Sequence, residues 1–177
     1  MKALMFLAAV VASNLPAQAA SLPDLIAPAA NGQLQCLSPD TTRKTCSALS
    51  SYKLGANGAI YNLAVVLISK DPAVTMEMVS PVDIKAGREC GKFRSQDLDA
   101  AIFRVGGQLL DAKQAAPLRE RMRRFFMNIS ERELCTTYIN EGGILLAKST
   151  MDGVPMPATT DQRVLWVSPG DGYRVSP

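Results

Sequence analysis

Two acidic residues, Asp97 and Asp99, form the pair in this chain whose spacing could support catalysis. They precede the apolar run at Ile102, with Asp83 and Glu89 upstream. Residues two apart in an extended segment share one side. Glycoside hydrolysis needs two carboxyl groups that flank the scissile bond, and no histidine. A carboxylate-dependent hydrolase is therefore a possible function. An acid in the deepest cleft (Asp97, Asp99 or Glu89) would favour this function over a binding role. Alternatively, the two aspartates start a helix or form a turn.

The chain contains no histidine, which excludes imidazole bases, imidazole metal ligands and imidazole-dependent triads. Ser50 and Lys53 have the S-x-x-K spacing of penicillin-binding enzymes, but the S-D-N and K-T-G motifs that accompany it are absent. No segment matches an EF-hand calcium loop. We therefore expect no catalytic residue, no metal site and no cofactor, and the protein is predicted to be non-enzymatic.

Four cysteines, Cys36, Cys46, Cys90 and Cys135, are the other reactive set. Zinc sites usually bring their thiolates in pairs two to four residues apart, and no such pair occurs here. Disulfides are the better interpretation in an exported chain, although four cysteines allow three pairings. We favour Cys36–Cys46, which flanks a turn-like stretch, and Cys90–Cys135. Loop-closure entropy gives these bonds roughly 2.7 and 4 kcal/mol.

The start of the chain has the layout of a secretory signal peptide. Met1-Lys2 is positive, an apolar run follows from Ala3 to Val11, and Ala17 and Ala19 form a cleavage pattern. We predict that residues 1–19 are cleaved and that the protein is exported, to the periplasm or the medium. Later apolar runs are too short for a membrane-spanning helix, which needs about 20 residues. No integral membrane segment is therefore expected after cleavage.

Residues 20–31, rich in Ala and Pro, are predicted to be a flexible lead-in, and residues 32–177 to form a single globular domain. Alternating or continuous apolar runs with turn signals between them predict short strands. The segment 83–95 looks irregular. The expected strands are Gln33–Ser38, Ile60–Ile68, Val74–Met78, Ile102–Val105, Gln108–Leu110, Leu145–Thr150 and Arg163–Val167.

The clearest predicted helix runs from Ala112 to about Ile129, with Asp111 and Gln114 as a capping box. Its apolar face contains Phe125, so a charge at Phe125 is expected to be highly damaging. A short N-terminal helix is predicted from Asp40. Together these elements predict an α+β domain, stabilised by disulfides, with an antiparallel β-sheet and one principal amphipathic helix packed on it.

Surface signals are weak. The arginines at 119, 121, 123 and 124 surround the polar side of the predicted helix, and the formal net charge of +3 is too small to predict nucleic-acid binding. Trp166 is expected in the core. Tyr173 and Arg174 are the better candidates for a surface that binds a ligand. The sequence predicts a binding or envelope-associated interaction domain for an unknown protein, peptide or glycan, and a hydrolase of cell-envelope glycans is the alternative.

Overall fold

The computed structural model describes residues 22–142 and 144–177. The predicted signal peptide lies outside these residues. Thirteen strands and two α-helices occur in the described part of the chain. The strands are β1 (Leu34–Leu37), β2 (Thr45–Cys46), β3 (Ala48–Leu54), β4 (Ile60–Lys70), β5 (Ala73–Lys85), β6 (Arg88–Lys92), β7 (Ile102–Val105), β8 (Gln108–Leu109), β9 (Glu133–Glu141), β10 (Ile144–Met151), β11 (Val154–Pro155), β12 (Gln162–Val167) and β13 (Arg174–Val175). The helices are α1 (Ser95–Asp99) and α2 (Ala112–Phe126).

Eight of the described strands close into an antiparallel barrel. Its strands follow chain order, β1, β3, β4, β5, β6, β9, β10 and β12, and β12 pairs with β1 to complete the ring. Each neighbouring pair is antiparallel. Closure leaves the ring without a free edge and gives it an inner and an outer face.

The predicted α+β class is therefore wrong: the protein is mostly β, and its main sheet closes on itself instead of packing one face on a helix. The long hairpin of β4 and β5 is where prediction and structure agree best. It runs from the pair Lys70 and Ala73 to the pair Ile60 and Val82. The segment 83–95, expected to be irregular, contains the end of β5 and all of β6. The barrel needs these residues because β6 connects β5 to β9.

The predicted short N-terminal helix is also wrong. Asp40 does accept hydrogen bonds from the backbone nitrogens of Thr42 and Arg43, as a capping residue would. However, the chain turns back at Lys44, where φ is +51°, and enters strand β2. Asp40 therefore does cap backbone nitrogens, but it caps a tight turn and not a helix, because the segment that follows pairs as a strand.

An excursion between β6 and β9, residues 93–132, carries both α-helices. Strands β7 and β8 form the predicted hairpin, and β7 pairs with the first part of β5. Helix α2 has the predicted capping box of Asp111 and Gln114. The Arg119 guanidinium donates to the backbone oxygens of Leu98 and Ala101, which fixes α2 against the end of α1.

The core of this excursion contains the buried residues Met76, Leu98, Ala101, Phe103, Ala115 and Met122. Phe126 packs against this cluster, with its ring centroid 4.0 Å from that of Phe93. Phe125 is 73% exposed, so its predicted role in the buried face of the helix is wrong. The helix packs through Ala115 and Met122. One turn after Met122, Phe126 rather than Phe125 packs against the same cluster.

A 3-10 helix at Asp24–Asn31 covers one end of the barrel. The side chain of Ile26 is fully buried and packs in one cluster with Tyr52 and Val82. Trp166 is partly buried against the same cluster. This part of the predicted lead-in thus contributes an apolar plug to the barrel.

Both favoured disulfides are present, Cys36–Cys46 and Cys90–Cys135. Cys90 and Cys135 are direct partners in the register of β6 and β9, so this bond joins the two strands on either side of the excursion. Two disulfides fit an oxidising environment outside the cytosol. No helix in the described residues has the length and apolarity needed to cross a membrane.

Candidate ligand-binding cavity

The barrel encloses a cavity of about 290 Å³. Most of its lining comes from alternate residues of the barrel strands, because successive side chains on a strand point to opposite faces. Phe93, Ile129 and Arg132 of the excursion line one end. The wall consists of Gln35, Leu37, Ser50, Tyr52, Asn62, Ala64, Met78, Ser80, Pro81, Val82, Glu89, Gly91, Lys92, Phe93, Ile129, Arg132, Leu134, Thr136, Tyr138 and Met151.

The two ends of the barrel differ. The end at Leu54 and Ile60 is covered by the 3-10 helix and Ile26. At the opposite end, the exposed residues Lys92 and Arg132 line the cavity, so it reaches solvent there. The cavity therefore has its base beneath the 3-10 helix and a mouth at the opposite end, a shape suited to a single small ligand.

A polar cluster lies inside the cavity around the carboxylate of Glu89. Its Oε2 accepts hydrogen bonds from the hydroxyls of Tyr52 and Tyr138, each at 2.7 Å. Its Oε1 accepts from Asn62 Nδ2 at 3.2 Å. Four strands contribute these side chains, β3, β4, β6 and β9. Within the described residues, Glu89 forms no salt bridge with a lysine or arginine.

Both tyrosines of this cluster are held in the neutral state. Burial raises the pKa of Tyr52 well above its usual value, and the nearby charge of Glu89 raises it further. Burial also raises the pKa of Tyr138, again with Glu89 as the next cause. A negative charge on either phenol would be both poorly solvated and repelled by the carboxylate. The two hydroxyls therefore act as hydrogen-bond donors to Glu89.

Gln35 leaves this network incomplete. The Tyr52 hydroxyl lies 2.9 Å from Gln35 Oε1. However, this hydroxyl has one proton, which it shares between that oxygen and Glu89. The Nε2 of Gln35 has no hydrogen-bond partner among the described residues, although the side chain is only 2% exposed. A buried amide nitrogen without a partner costs about 1–3 kcal/mol. The cavity therefore contains a polar group that a ligand, or a water molecule, could satisfy.

The rest of the wall is mainly apolar and also includes the polar side chains of Ser50, Ser80, Lys92, Arg132 and Thr136. Ala64 and Met78 face each other across β4 and β5, and Leu134 and Met151 across β9 and β10. Phe93 adds an aromatic ring near the mouth. An apolar wall with a few convergent polar groups is typical of small-molecule sites.

The acids predicted from the sequence divide between two places. Glu89 lines the cavity, whereas Asp97 and Asp99 do not. Asp97 is buried and bonded to Arg94 Nε at 2.9 Å and to Ser80 Oγ at 3.0 Å. Asp99 pairs with Arg123. The aspartates thus belong to the short helix α1 and its ion pairs, which is the structural alternative that the sequence left open.

The other residue pairs predicted from the sequence do not form a site in the cavity. Ser50 is buried in the cavity, but Lys53 is exposed, because residues three apart on β3 point to opposite faces. Tyr173 packs near the Cys36–Cys46 disulfide, and Arg174 is exposed on β13. Neither lines the cavity.

Cys90, Cys135 and Glu133 bring possible metal-ligand atoms close together. The two sulfurs are joined to each other, so neither is a thiolate that could bind a metal.

Sequence reasoning missed Gln35, Tyr52 and Asn62 as cavity residues. The available signal was alternation: Leu134, Thr136 and Tyr138 occupy every second position of β9, as do Gln35 and Leu37 on β1. Since these sets mix polar and apolar residues, they do not stand out as a buried face.

Comparison of the chain with protein-family models, curated proteins and solved structures finds no match.

Proposed function

We propose that this protein is a non-enzymatic binding protein that holds one small molecule inside its barrel. The observation that carries the proposal is the cavity itself, which combines a largely apolar surface, a mouth and an incompletely paired polar cluster. A barrel that served only as a scaffold would be expected to fill its interior with side chains. The cavity volume suits a compact ligand with an apolar body and a polar head.

The binding role would operate outside the cytosol, in the periplasm if the host is a Gram-negative bacterium. The two disulfides support an oxidising compartment. A barrel with an internal cavity could sequester or carry a molecule of low water solubility. We therefore propose a small molecule as the partner, in place of the protein, peptide or glycan predicted from the sequence.

The proposal is tested by titration with N-phenylnaphthylamine, a neutral apolar dye whose fluorescence rises when it leaves water. We expect saturable binding with one dye per protein. The variant Ala64→Phe places a ring inside the cavity and should abolish binding. The matched control, Val79→Phe, adds the same ring to the outer face of the barrel, where Val79 is 51% exposed, and should leave binding unchanged.

A second cavity-filling variant, Met78→Trp, guards against a folding defect in Ala64→Phe, and circular dichroism of each variant checks the fold. Loss of binding in both filled variants but not in Val79→Phe supports the barrel interior as the site. Equal binding by folded filled variants would exclude it, as would no binding by the wild type.

The hydrolase alternative retains one supporting observation, because Glu89 lies in the cavity. Glycosidases with two carboxyl groups place the second acid about 5–9.5 Å from the first. In the described part of the chain no second acid lines this cavity. Release of new reducing ends from cell-wall glycan, abolished by Glu89→Gln, would favour the enzyme. Binding without turnover favours the proposal.

A further inference from the structure

We propose that the cavity takes an organic cation, a protonated amine on an apolar body, and that Glu89 is its counter-ion. This inference rests on the proposed binding function and names the ligand class for the same site.

Glu89 lacks a cationic partner inside the cavity. The residue is partly buried, and a carboxylate withdrawn from bulk water is normally paired with a cation. Here three neutral donors, Tyr52, Tyr138 and Asn62, hold it in place, and no lysine or arginine of the described residues bonds to it. An ammonium group of a ligand would supply the missing positive charge.

The cavity has more hydrogen-bond acceptors than its own side chains can pair. Both Tyr52 and Tyr138 donate to Oε2 of Glu89, which leaves Oε1 with only the 3.2 Å bond from Asn62. When Tyr52 donates to Glu89, Oε1 of Gln35 also lacks a donor. An ammonium carries N–H donors for both oxygens, whereas a carboxylate has none. An acceptor atom beside the amine could pair with Gln35 Nε2.

The side chains that line the cavity also suit an organic cation with an apolar tail. Tyr52, Tyr138 and Phe93 present aromatic rings to the cavity, and aromatic rings attract cations. An apolar tail would lie against Met78, Leu134 and Met151. The basic residues at the mouth oppose this only weakly, because Arg132 pairs with Asp152 at 2.7 Å and Lys92 is exposed, so that solvent screens its charge.

The test compares three probes with the same tail, octylamine, octanol and octanoate, by displacement of bound N-phenylnaphthylamine at neutral pH. The wild type should bind octylamine about tenfold or more tightly than octanol, since a hydrogen bond to a charged partner exceeds a neutral one by this much. Octanoate should bind weakest, because its charge repels Glu89.

The variant Glu89→Gln removes the charge and keeps the size of the side chain. It should reduce the preference for octylamine over octanol to about threefold or less. Asp83→Asn is the matched control, since Asp83 lies on the neighbouring strand with its exposed side chain outside the cavity; it should leave the preference unchanged.

The outcomes separate the two proposals. If the dye binds but octanol or octanoate displaces it as well as octylamine does, the cation assignment is wrong and the binding function stands. A preference unchanged in folded Glu89→Gln also overturns the assignment. If neither the dye nor any octyl probe binds, the binding function itself fails.

Discussion

The hydroxyl of Tyr52 lies 2.7 Å from Oε2 of Glu89 and joins two strands that are not neighbours. Tyr52 is on β3 and Glu89 on β6, and two further strands, β4 and β5, separate them around the ring. The bond therefore crosses the barrel interior. It ties opposite parts of the wall together and fixes the carboxylate that we assign to ligand binding.

Tyr52→Phe should lower the free energy of unfolding by about 1–3 kcal/mol, because it removes a buried hydrogen bond to a charged group. Urea denaturation measures this change. Tyr61→Phe is the control, since Tyr61 is next to the cavity residue Asn62 on β4 and so lies on the outer face; it should change stability by less than about 0.5 kcal/mol. Equal losses in the two variants would contradict the cross-barrel role of Tyr52.

Stability should also fall at high pH through Tyr52. Its folded pKa is raised above the unfolded value of about 10, so its contribution is complete below pH 10 and is lost as pH rises beyond it. Between about pH 10 and 11.5, Tyr52 adds a slope of up to about 1.4 kcal/mol per pH unit. Urea denaturation of wild type and Tyr52→Phe measures the difference. Parallel curves for the two proteins would be inconsistent with the raised pKa.

Ile26→Ala should destabilise the protein by about 2–4 kcal/mol, because it empties the plug at the closed end of the barrel. Thermal and urea unfolding measure the loss. Val79→Ala, at a half-exposed outer position, serves as the matched aliphatic truncation and should cost less than about 0.5 kcal/mol. A mild effect of Ile26→Ala would show that the 3-10 helix does not seal the base.

The two phenylalanines at the end of α2 should respond differently. Phe126→Ala loses the contact with Phe93 and should cost about 1–3 kcal/mol. Phe125→Ala changes a side chain that is mostly exposed and should cost about 0.5 kcal/mol. The order of the two unfolding free energies decides between this packing and the helical face predicted from the sequence, which placed Phe125 inside.

Local features of the fold could be predicted from the sequence. The hairpin of β4 and β5 is dense in β-branched residues, and Asp111 with Gln114 forms a recognisable cap. Disulfides are predicted because an exported chain contains four cysteines, and the turn-like stretch between Cys36 and Cys46 favours that pairing among the three possible. Each of these features is set by residues near one another in the chain, or by a chemistry that few residue types share.

Barrel closure and the cavity could not be predicted because the barrel interior is itself polar in places. Alternation normally marks a strand by its apolar buried side. On β9 the cavity side includes Thr136 and Tyr138, while the exposed Ile139 lies on the other side, so the contrast between faces disappears. The pairing of β1 with β12 joins residues about 130 positions apart, and no local pattern encodes it.

The most direct test of the central claim is the carbon–proton NMR spectrum of the methionine methyl groups during titration with octylamine. Met78 and Met151 line the cavity, whereas Met127 is 69% exposed outside it. We predict saturable shifts of the Met78 and Met151 signals and an unchanged Met127 signal. Unchanged Met78 and Met151 signals at saturating amine, or shifts confined to Met127, would contradict a ligand site inside the barrel.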